Sequence, residues 1–114
     1  MEIRVYEDKR KQYCDYVDTM TIFFPVSKRL QGREQCRAYC ISGKPMSNGV
    51  WRGTDSFYLP VGVPVNSNQC YLGKRVKIDT LPKPTQDEIN RLSTLWNEAV
   101  TTDSEEAWER WDRA

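Results

Sequence analysis

Four cysteines, Cys14, Cys36, Cys40 and Cys70, are the strongest nucleophiles and softest metal ligands in a 114-residue chain that has no histidine. Four thiolates can close a tetrahedral zinc site, but structural zinc sites usually draw on two close pairs. Here only Cys36 and Cys40 are close. If both lie in one extended strand, their Cα atoms are about 13 Å apart at ~3.3 Å per residue, too far for a disulfide. The four are therefore expected to be reduced, small and buried hydrophobes, with zinc or a disulfide as the alternatives. No metal and no cofactor are expected.

The missing histidine removes the commonest general base and the commonest nitrogen ligand. No Ser-His-Asp or Cys-His arrangement can be assembled. Gly43-Lys44 is followed by Pro45, so it is not a phosphate loop, and no Gly-x-Gly-x-x-Gly occurs. Paired carboxylates could still do acid–base work. Most acids, however, fall in predicted helices or turns, where solvation explains them. The chain reads as non-enzymatic.

Binding chemistry is better supplied. Basic residues cluster as Lys9-Arg10-Lys11, as Lys28-Arg29 with Arg33 and Arg37, and as Lys74-Arg75 with Lys77. If the clusters converge they form a phosphate-binding face, on which Tyr13, Tyr16, Tyr39, Trp51 and Tyr71 could stack bases. At the other end, Glu105, Glu106, Glu109 and Asp112 surround Trp108 and Trp111. Acids around aromatic anchors match the rim and centre of a protein interface. The competing reading folds these tryptophans back onto the core. Net charge is +1, but residues 1–83 hold 14 basic and 8 acidic residues, and residues 84–114 hold 3 and 8. A basic body is joined to an acidic segment.

The elements that must position these groups follow from periodicity. Residues 2–6 alternate as a first strand, with Ile3 and Val5 on one face. Residues 7–11 read as a charged turn or a short exposed segment. Residues 16–24 form a strand that places Met20, Ile22 and Phe24 together and ends at Pro25. Residues 27–35 read as a loop or one short helical turn, and 36–41 as a strand with Cys36, Ala38 and Cys40 on one face. The 43–49 segment is a turn, with Asn48-Gly49 as its hairpin signal. Pro60 and Pro64 restrict 56–65 to an edge strand or an extended segment. Residues 69–72 and 74–79 form two short strands or one bulged at Gly73, with Val76 and Ile78 inward and Arg75 and Lys77 outward. Thr85-Gln86-Asp87-Glu88 is a capping box opening an amphipathic helix with Ile89, Leu92, Leu95, Trp96 and Ala99. Thr102-Asp103-Ser104-Glu105 opens a second.

These elements describe one α+β domain. A small antiparallel, partly barrel-like β-sheet body of five to six short strands is followed by two C-terminal helices. Residues 1–80 are the basic body, 81–84 a proline linker and 85–114 the acidic helical segment. No stretch approaches the roughly 20 apolar residues of a membrane span. The N-terminus lacks a signal-peptide pattern, so the chain reads as cytoplasmic, with no membrane partner. The expected function is a small protein-binding accessory or inhibitor, of the size viruses and mobile elements use to block host enzymes. The alternative is a nucleic-acid or nucleotide-binding domain. The 13 aromatic residues serve either.

Overall fold

A computed structural model describes residues 3–9, 11–12, 15–16, 19–26, 36–67 and 71–114. Among these residues the chain forms seven strands: β1 (Arg4–Asp8), β2 (Lys11–Gln12), β3 (Asp15–Tyr16), β4 (Thr19–Pro25), β5 (Cys36–Pro45), β6 (Trp51–Pro60) and β7 (Lys74–Val76). Five of them form one antiparallel sheet in the order β6-β5-β4-β1-β7, and β2 and β3 pair separately. A 3-10 turn (Ile78–Thr80) leads to helices α1 (Lys83–Thr102) and α2 (Glu105–Asp112).

The sheet is open rather than barrel-like: β6 and β7 lie at opposite edges. Closure needs edge strands long enough to pair, and β7 ends after three residues at the 3-10 turn. Neither are all strands short, since β5 and β6 each run ten residues. β5 continues through the predicted turn to Pro45, and the chain reverses only at Met46–Gly49. There the Gly49 N–H donates to Met46 O at 2.8 Å and the Met46 N–H to Val50 O at 2.9 Å. Of the Asn48-Gly49 pair, only Gly49 has positive φ. A Cβ at Gly49 would sit 2.2 Å from Pro84 O, so this turn lies directly on the start of α1.

One sheet face is covered by the helices. Val5, Met20, Ile22, Phe24 and Trp51 from the sheet share a core with Ile89, Leu92, Trp96 and Val100 from α1. Met20, Ile22 and Phe24 do share a face, as do Ile3 and Val5, and Val76 and Ile78 turn inward beside them. The other face holds a smaller cluster of Tyr6, Phe23, Ala38, Cys40, Leu59 and Leu72.

α1 begins at Lys83, with Pro82 as its N-cap and no side-chain cap. The predicted capping box is not formed. Thr85 is buried inside the helix, and Glu88 instead accepts two hydrogen bonds from Arg91. The prolines explain the earlier start. In the first turn a missing N–H removes a donor that has no intrahelical partner anyway. Gln86 supports the entry by donating its side-chain amide to Leu81 O at 2.7 Å. α1 stops at Asp103, whose φ of 49° is left-handed. α2 is capped by Ser104, which accepts from the Ala107 N–H at 3.2 Å, so the cap lies two residues after the predicted Thr102. No helix among the described residues is long and apolar enough to cross a membrane.

Candidate functional site

Three surfaces gather the chemically interesting residues. The first is α2. Its tryptophans face inward. Trp111 meets Trp96 at 5.0 Å between ring centroids, Phe24 at 5.3 Å and Tyr39 at 5.9 Å, while Trp108 meets Trp96 at 5.5 Å. Both are half-buried against the helix-side core. The Trp108 indole N–H also donates to Asp103 Oδ1 at 2.8 Å, tying α2 to the end of α1. These rings fasten the helix to the sheet. Glu105, Glu106, Glu109 and Asp112 are all exposed. Among the described residues no cation pairs with any of the four. Arg110, in the same helix, reaches back to Glu98 of α1, and Arg113 donates to the Glu109 backbone carbonyl at 3.4 Å.

The second surface is the β7 edge. Lys9, Lys74, Arg75 and Tyr71 line one depression of about 480 Å³, and Lys77 lies exposed just beyond it. Glu7 lines the same depression and pairs with Lys9 at 3.0 Å, which lowers its net positive charge. Three of the predicted phosphate-binding residues therefore converge here. Arg10, Lys28, Arg29 and Arg33 lie outside the described residues, and for Lys11 only the backbone in β2 is described. Two predicted stacking residues are not at this surface. Tyr39 stacks on Trp96 at 5.3 Å, and Trp51 is buried with its indole N–H on Met20 O at 3.0 Å. Tyr13 is outside the described residues and the Tyr16 side chain is not described. Arg37 is used internally, with its guanidinium 6.0 Å from the Phe23 ring centroid and a hydrogen bond to Val63 O.

The third surface was not anticipated from sequence. The described residues after Pro60, 61–67 and 71–73, lie across the sheet face opposite the helices, where Val63, Val65 and Leu72 pack, ahead of β7 at the far edge. Asn66 clasps these two stretches together. Its Oδ1 accepts from the Leu72 N–H at 2.7 Å and the Gly73 N–H at 2.9 Å, and its Nδ2 donates to Gly73 O. Asn66 itself is left-handed, with φ of 67°. Gly73 (φ +97°) lies so close to β1 that a Cβ there would meet Glu7 O at 2.2 Å. Between this segment and the sheet lies a cleft of about 430 Å³, with Thr19, Thr21 and Ser42 on its sheet wall.

No protein-family model, curated protein or solved structure matches this chain.

Of the two described cysteines, both in β5, Cys40 is buried and Cys36 half-buried. Cys14 and Cys70 lie outside the described residues. Hydrogen bonds to Glu88 hold the Arg91 guanidinium above its ordinary range, with burial acting the other way. The Thr21–Ser42 hydroxyl pair, whose oxygens lie 2.6 Å apart across β4 and β5, and the Asn66 clasp escaped sequence reasoning because each depends on strand register or chain crossing. The only local signals were the turn residues Asn66-Ser67-Asn68 and the alternation Thr19, Thr21, Phe23 on β4.

Proposed function

We propose that this chain is a non-enzymatic binding protein, an accessory or inhibitor that docks on a larger protein through the outward face of α2. The observation that carries the reading is the set of exposed carboxylates of Glu105, Glu106, Glu109 and Asp112, unpaired among the described residues, on a helix fastened by Trp108 and Trp111. A fixed negative face attracts a basic partner surface, speeds encounter and sets orientation. The tryptophans serve that face as positioning residues rather than as contact anchors.

Zero-length coupling of carboxylates to amines tests the reading directly. After capture from the native cells and nuclease treatment, cross-links should join partner lysines to the four α2 carboxylates. Cross-links confined to α1 acids or to the body would contradict it.

A second reading, nucleic-acid or nucleotide binding, is favoured by the convergence of Lys9, Lys74 and Arg75 with Tyr71. It predicts affinity that falls steeply with salt. The double variant Lys74→Glu, Arg75→Glu should abolish it, and binding retained by that variant would remove it.

A further inference from the structure

The cleft beneath the crossing segment plays no part in docking through α2, and its chemistry is of a different kind. Its volume of about 430 Å³ lies within the ~300–1,000 Å³ range of small-molecule sites. The lining is divided. Thr19, Thr21 and Ser42 form a polar strip on the sheet, flanked on the same sheet by Phe57 and Leu59 of β6 and met by Val63 and Leu72, with Tyr71 also lining the cleft and 40% exposed. No acidic or basic side chain lines it among the described residues. Against this described lining a charged occupant would lose hydration without gaining a counter-charge, which is costly. The chemistry therefore favours a neutral ligand.

The polar strip specifies more. Thr21 and Ser42 are register partners across β4 and β5, and their hydroxyl oxygens are 2.6 Å apart. One proton lies between them. Among the described residues the second proton and the remaining lone pairs have no other partner, so the pair can offer one donor and one acceptor side by side. Either oxygen can be the donor, so the polarity can run in either direction. The complement is a flat group carrying an N–H next to a C=O. That is the lactam or imide edge of a neutral ring. The rings of Phe57 and Tyr71 supply aromatic surface for its face.

We propose that this cleft binds a neutral planar ring with a lactam edge, of the uracil type, recognised by the Thr21–Ser42 hydroxyl pair. The test is titration of the full-length, 15N-labelled protein with uracil and uridine, followed in 1H–15N correlation spectra. Saturable shifts are expected at the amides of Thr19, Thr21, Ser42 and Leu72. In 1,3-dimethyluracil both N–H donors are gone, and binding should weaken at least about tenfold. Thr21→Val keeps the side-chain shape and removes the hydroxyl, and Ser42→Ala does the same at a half-buried position. Each should weaken uracil binding by about tenfold while the spectrum keeps its native dispersion. Absence of saturable shifts with both uracil and uridine would overturn the proposal. So would equal binding of 1,3-dimethyluracil, undiminished binding by a folded hydroxyl variant, or shifts confined to the β7 edge.

Discussion

Helices α1 and α2 both place tryptophan in the same aromatic cluster, yet they treat their carboxylates in opposite ways. α1 has three acids, and each has a partner: Asp87 with Lys83 at 3.0 Å, Glu88 with Arg91 at 2.6 Å, and Glu98 with Arg110. α2 has four acids and none is paired among the described residues. Glu105 and Glu106 lie in the first turn, where the helix dipole favours negative charge. Glu109 and Asp112 have no such excuse, and Asp112 sits at the end where the dipole opposes it. Helix stability accounts for half of the α2 charge. The other half is what a docking surface would require.

The largest expected effect tests whether both helices share one anchor. Trp96 is 1% exposed and touches Phe24, Tyr39, Trp108 and Trp111. Trp96→Ala should cost about 3–5 kcal/mol in urea denaturation, the usual range for a core aromatic. A cost under about 1 kcal/mol would mean that the helices are not seated on the sheet as described. Trp111→Ala should cost about 2 kcal/mol, less because Trp111 is only half-buried. A negligible cost would free this ring to act as a contact anchor and would return it to the interface. Ser104→Ala should cost about 1 kcal/mol by removing the α2 cap. Thr85→Ala should show no capping loss, because Thr85 does not cap α1. The smallest effect belongs to the α1 pairs: Lys83→Ala, in an exposed i,i+4 bridge, should change stability by less than about 0.5 kcal/mol.

What could be read from sequence follows the reach of each signal. Period-two alternation acts locally, so the inward set Met20, Ile22, Phe24 and the pair Val76, Ile78 were legible. Two helices were also legible from Ile89, Leu92 and Trp96 and from the turn before Glu105. Their starts were not, because a Thr-x-x-Glu capping pattern competed with prolines that are also tolerated in a first turn. The structure resolves that conflict through the Gly49 turn, which lies against Pro84 and Thr85. The open sheet was missed because closure depends on how β7 exits, not on strand number. The inward direction of Trp108 and Trp111 could not be settled from spacing, since both readings use the same helix face. Thr21 and Ser42 meet only because β4 and β5 adopt one particular register.

The central claim is that α2 has two separable jobs, an inner face that holds the fold and an outer face that meets a partner. Neutralising only the outer face tests it most directly. The variant with Glu105→Gln, Glu106→Gln, Glu109→Gln and Asp112→Asn should keep its melting temperature within a few degrees, because these side chains are exposed and, among the described residues, unpaired. Capture of the partner recovered by the native protein should fall at least about tenfold, as expected when steering and complementarity are removed. Undiminished capture by this folded variant would contradict the account.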